Sequence, residues 1–124
     1  MSGRWGRGRG GSWIQLLILR VLYEKPLHGY GLIKEVNKLL TGRRPLKPGS
    51  LYTILRRMEK SGFLSSVWDR ESSRLERRVY TLTQMGLDRL KNGRLMVAGQ
   101  RKVLDEMMNF YEKYFPESES DEGN

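Results

Sequence analysis

Pro48-Gly49-Ser50-Leu51-Tyr52-Thr53-Ile54-Leu55-Arg56-Arg57-Met58-Glu59-Lys60-Ser61-Gly62 reads as one amphipathic helix with its own start and stop signals. Proline fits the first turn, where its missing N–H is not needed, and glycine fits the position just past the end. Leu51, Ile54, Leu55 and Met58 form an apolar stripe. Tyr52, Thr53, Arg56 and Lys60 fall on the opposite face, with Arg57 at its margin. Such a helix packs on a core while presenting cations and hydrogen-bonding groups outward.

Upstream, Ser12 can cap a helix in which Trp13, Leu16, Leu17, Leu19 and Tyr23 follow at helical spacing, and Pro26 stops it. Its apolar residues are spread widely enough to require burial on more than one face. A second helix is expected over 29–40, with Tyr30, Ile33, Val36 and Leu40 inward and an end near Gly42. Pro45 and Pro48 bracket the turn into the third helix. Downstream the period changes: 63–68 and 77–83 alternate like strands around a polar segment, 69–76. Thr83 then caps a final helix reaching about residue 115, with an interruption near Asn92-Gly93.

Three helices followed by a β-hairpin is the order of a winged helix-turn-helix, in which the third helix enters the major groove and the hairpin, or wing, touches the flanking backbone. The expected class is therefore α+β, mainly α. Residues 1–11 form a disordered basic Arg/Gly arm, 12–83 the winged-helix DNA-binding domain, 84–115 a C-terminal dimerisation helix and 116–124 an acidic disordered tail. The arm holds Arg4, Arg7 and Arg9 with five glycines and no acid. The tail holds Glu117, Glu119, Asp121 and Glu122 with no base.

Composition agrees with a polyanion partner. The chain has 124 residues, enough for one domain plus an extended element, and 23 Lys and Arg against 14 Asp and Glu give +9. The absence of cysteine excludes disulfides, thiolate metal sites and cysteine nucleophiles. His28 is the only histidine, so a multi-histidine metal site is excluded as well. In its Leu-His-Gly-Tyr turn His28 reads as a structural hydrogen-bonder, and Gly29-Tyr30-Gly31 lacks the strand and third glycine of a dinucleotide fingerprint. No nucleophile with a base, paired acids or metal ligands can be assembled, so neither an enzyme nor a cofactor is expected. The apolar run at 13–19 is broken by Arg20, short of the roughly 20 residues that span a bilayer, and no cleavage-site pattern follows it. A soluble, cytoplasmic, DNA-associated chain is the expectation.

The motifs also match a family. Leu27-His28-Gly29-Tyr30 with Ile33, then Pro48-Gly49-Ser50-Leu51-Tyr52 with Leu55, Arg57, Met58 and Glu59, then Arg77-Arg78-Val79-Tyr80-Thr81-Leu82-Thr83 with Gly86, occur in family order. Over about residues 13–91 the chain resembles the PadR family of transcriptional regulators, in its smaller subgroup with one C-terminal helix. The resemblance implies a homodimer whose recognition helices and wings read a palindromic operator, usually as a repressor released by a small aromatic molecule or other signal. The chain departs from the family pattern in three places. Lys47 stands where a capping Ser, Thr or Asn is common, 69–76 lacks the usual wing-tip glycines, and the final helix is the least similar stretch.

The DNA-binding residues expected on these grounds are Lys47, Ser50, Tyr52, Thr53, Arg56 and Lys60, with Arg74 and Arg77 from the wing. Arginine can present two donors to guanine, and threonine a methyl to thymine. Tyr52 and Ser50 suit phosphates, and Arg74 and Arg77 suit phosphate or minor-groove contact. Arg78 shares a strand face with Tyr80 and Leu82, so an ion pair with a nearby acid is expected of it instead. The dimer interface is expected to use Trp13, Leu16 and Leu17 with Leu104, Met107, Met108, Tyr111 and Phe115, and methionines there suit a small aromatic effector. The competing reading is a basic structural or RNA-associated protein whose Arg/Gly arm and aromatics grip single strands.

Overall fold

The computed structural model describes residues 2–40, 42, 44–69 and 77–117, with side chains from residue 13 onward and excluding that of Arg77. The order is α1 (Ser2–Glu24), β1 (Leu27–His28), α2 (Gly29–Leu39), α3 (Pro48–Lys60), β2 (Leu64–Asp69), β3 (Arg77–Leu82), α4 (Gln84–Asn92) and α5 (Arg94–Tyr114). It is a mostly helical α+β fold with one small antiparallel sheet.

Helix α1 begins at Ser2, ahead of the start expected at Ser12 and across the segment expected to be a disordered arm. Once the part from Trp13 has nucleated, each added residue gains a backbone bond without a second nucleation cost, although each glycine costs about 1 kcal/mol relative to alanine. Ile14, Leu16, Ile18, Leu19 and Leu22 are buried, so α1 is covered on more than one face, while Tyr23 is exposed. In α2 the buried set is Leu32, Ile33 and Val36, followed by Leu40 just past its end. Tyr30, expected inward, is 64% exposed. It lies one position off the stripe that Gly29, Ile33, Val36 and Leu40 define, and the Lys34 ammonium sits 5.8 Å from its ring centre.

Asn37 shapes the loop into α3: its amide oxygen accepts from the Leu46 N–H at 2.8 Å and its amide nitrogen donates to the Leu46 carbonyl at 3.3 Å. Helix α3 buries Leu51, Leu55 and Met58 completely or nearly so. Its cap, Lys47, offers no side-chain bond, as the missing oxygen implies. At the other end the Phe63 N–H donates to the Met58 carbonyl and the Gly62 N–H to that of Glu59. This pair of bonds is the Schellman closure, which places Gly62 in the left-handed region at φ +92°.

The hairpin pairs Leu64 with Leu82 through to Asp69 with Arg77. Strand β1 adds to its other edge, Leu27 opposite Tyr80 and His28 opposite Val79, giving the order β1-β3-β2. The sequence reads as a turn at this short strand, since two residues carry no period. Thr83 caps α4 as expected, its hydroxyl accepting from the Gly86 N–H at 3.0 Å and donating to the Gly62 carbonyl at 2.6 Å. The final helix is divided at Gly93, at the expected interruption.

Residues 1–91 and 92–124 are two units. In the second, α5 has no buried residue, and Leu104, Met107, Met108, Tyr111 and Phe115 are exposed. Phe110 joins them, its ring centre 5.6 Å from that of Tyr111 and 5.2 Å from that of Tyr114. In the first unit, Trp13 and Leu17 keep accessible surface, whereas Leu16 belongs to the core of the protomer. No helix among the described residues is long and apolar enough to cross a membrane.

Candidate nucleic-acid interface

Because α3 buries only one stripe, its other face stands free beside the hairpin, and an open groove of about 1130 Å³ runs between them. Tyr52, Thr53, Arg56 and Lys60 enter it from α3, Trp68 and Arg78 from the hairpin, and Tyr30 from the start of α2. Arg57, placed at the margin of the face by the sequence, lines it too. Among the described residues, four cations thus meet one carboxylate, that of Glu59. Burial pushes the Tyr80 phenol above its usual value and Glu59 adds to the rise, with Arg78 opposing it. At neutral pH its hydroxyl therefore remains a donor.

Tyr52 is held by packing against α2. A side chain at Gly29 would place its first carbon 2.6 Å from the Tyr52 ring and 2.9 Å from the hydroxyl oxygen, so only glycine admits the ring there. Thr53 donates its hydroxyl to the Gly49 carbonyl at 3.0 Å, which satisfies that donor within the helix. His28 bonds through Nε2 to the Asp69 carboxylate at 2.7 Å, tying the start of α2 to the far end of β2. That is the structural role expected of it.

Arg78 meets an acid, as its strand face implied. Its guanidinium donates to the Ser66 hydroxyl at 2.6 Å, lies 3.8 Å from the Glu59 carboxylate and covers the Trp68 ring at 4.5 Å. The Ser66 hydroxyl in turn donates to Glu59 at 2.6 Å.

Of the expected DNA-binding residues, Tyr52, Thr53, Arg56 and Lys60 share the groove, while Lys47 and Ser50 are exposed at the start of α3 outside its lining. Arg74 and the Arg77 side chain lie outside the described residues. Sequence reading missed Tyr30 and Trp68. The cross-strand pairing of Trp68 with Arg78 is the signal that would have found the latter. Among the described residues no three or more His, Asp or Glu are grouped to hold a metal ion.

A three-helix unit with an exposed third helix and a hairpin beside it, followed in sequence by further helices, defines the winged helix-turn-helix class. Residues 18–92 match the model of the transcriptional regulator PadR-like family, and the chain belongs to that family. Its members are transcriptional regulators, not enzymes.

A protein of Thermoplasma acidophilum proposed to be a transcriptional regulator is similar at 31% identity and TM-score 0.70, over 78% of this chain and 91% of its own. A PadR family transcription regulator from Clostridium difficile is similar at 30% and 0.65, over 77% and 98%. Bacillus subtilis PadR, solved in complex with operator DNA, is similar at 26% and 0.57, over 63% and 44%. The chain spans 64% of the length of the curated relative it matches, an uncharacterised protein of Lysinibacillus sphaericus 27% identical over 70 residues.

Proposed function

We propose that this chain binds double-stranded DNA in a sequence-specific way, as a cytoplasmic homodimeric repressor whose two α3 helices read the halves of a palindromic operator. The observation that carries the reading is the free face of α3, where Tyr52, Thr53, Arg56 and Lys60 meet wing residues in one cationic groove. Arg56 and Lys60 contact base edges, and Thr53, its hydroxyl engaged with Gly49, offers its methyl to thymine. Tyr52, Ser50 and Lys47 anchor phosphates, as do Arg74 and Arg77 of the wing. The related Bacillus subtilis PadR was crystallised with its operator, which supports double-stranded DNA as the partner.

The exposed stripe of α5 and the partly accessible flank of α1 at Trp13 and Leu17 are the surfaces buried between protomers. A small aromatic molecule that binds the α5 stripe at Met107, Met108 and Tyr111 releases the operator if it prefers the displaced arrangement of the dimer. By linkage the operator then weakens that molecule by the same factor.

Selection from a random duplex pool tests the reading. The expected result is enrichment of one inverted repeat with half-sites about 34 Å apart, one helical turn, or a multiple of that. Enrichment of no sequence would refute it.

A further inference from the structure

An acid facing a polyanion is a cost, and Glu59 is the one carboxylate among the described residues that line the groove. Its surroundings explain its presence. From the last turn of α3 it accepts a hydrogen bond from Ser66 of β2 and lies within ion-pair distance of Arg78 of β3. Arg78 also donates to the same Ser66 hydroxyl and lies over the ring of Trp68, its cross-strand partner. One carboxylate therefore ties both strands of the wing to the helix beside them. A further tie between them is the turn at Ser61 to Phe63, closed through Gly62.

We propose that Glu59 is a positioning residue for DNA recognition: through Ser66 and Arg78 it sets the angle between α3 and the wing, and so the width of the groove that the DNA must fit. The proposal rests on the reading of α3 as the recognition helix. Arg78 and Glu59 keep 41% and 32% of their side-chain surface exposed, and ion pairs so open to water add little to stability. Their effect is on geometry: the short charge-assisted bonds fix direction as well as distance. Arg78, held at three points, serves the wing and is not a phosphate anchor.

The test turns on sign. Glu59→Gln keeps an acceptor for Ser66 but removes the charge that holds Arg78. If Glu59 were only an acid near DNA, losing it would strengthen binding to every duplex alike.

Affinities are measured for the full chain at fixed salt, on the duplex the intact protein selects from a random pool and on a scrambled duplex of equal length. Thermal melts accompany each variant. The expected result is a selected-to-scrambled ratio lowered roughly tenfold, the scale of one good base contact, at an unchanged melting midpoint. Arg78→Met lowers the ratio similarly, and the double variant lowers it no further than the larger single loss.

A ratio unchanged in both variants, tighter binding to both duplexes alike, or losses that add in the double variant would overturn the proposal. If Glu59→Gln does not fold, Arg78→Lys decides on its own ratio, since it keeps the charge but loses the fork that reaches Ser66 and covers Trp68. Failure of the intact protein to select any duplex would instead remove the recognition-helix reading, and this proposal with it.

Discussion

Gly29 illustrates how a residue of a neighbouring helix acts on the face of α3. Gly29→Ala forces the Tyr52 ring from its seat, because the new methyl would lie 2.6 Å from a ring carbon. With Tyr52 proposed as a phosphate anchor, binding to all duplexes should weaken together, and fluorescence anisotropy on selected and scrambled duplexes checks this. Arg56 and Arg77 should separate by role. Arg56→Ala lowers discrimination between selected and random DNA by about 1 to 3 kcal/mol, the worth of a bidentate base contact. Arg77→Ala weakens all DNA and flattens the salt dependence by roughly one unit for each phosphate the protein no longer neutralises. Several single-residue roles were legible because local chemistry determines them: the cap at Thr83, the missing cap oxygen at Lys47, the bonding role of His28 and the ion pair of Arg78. Tyr30 and Trp68 were not. They line a groove that exists only once α2, α3 and the hairpin are brought together, and exposed aromatics look like core residues in a sequence.

Helix α3 was the most legible element, since proline, glycine and one unbroken stripe agree on its bounds. Met58 is its best-buried residue near the C-terminal end, only 1% exposed, and it also supplies the carbonyl that closes the Schellman turn. Met58→Ala leaves that backbone bond intact but opens a cavity, so denaturant unfolding should show a loss of about 2 to 5 kcal/mol. A loss under about 0.5 kcal/mol, the range of surface substitutions, would place this side chain outside the core. Strand β1 escaped sequence reading because two residues cannot display alternation, and its pairing with β3 joins segments far apart in the chain. The start of α1 escaped for the opposite reason. Local glycine propensity speaks against helix there, while propagation from a strongly apolar segment continues it.

At the scale of the whole molecule the unsatisfied feature is α5, none of whose residues is buried in its unit and whose Met107, Met108, Phe110 and Tyr111 are all exposed. Sequence periodicity identified this stripe, and the partner proposed for it is a second copy of the chain. Sedimentation should find a dimer at micromolar concentration, and Met108→Glu, which buries an unpaired charge at the seam, should dissociate or unfold it. A stable wild-type monomer would rule the seam out. Two protomers together then present two α3 faces to one duplex, which is the central claim. Its most direct test is a titration of the full chain against three probes at matched salt: its selected inverted repeat, a scrambled duplex and single-stranded RNA of the same length. The account predicts that the inverted repeat binds at least about a thousandfold more tightly than the scrambled duplex, the lower end for specific recognition, and more tightly than the RNA. Equal affinity for the two duplexes, or tighter binding to the RNA, would contradict it.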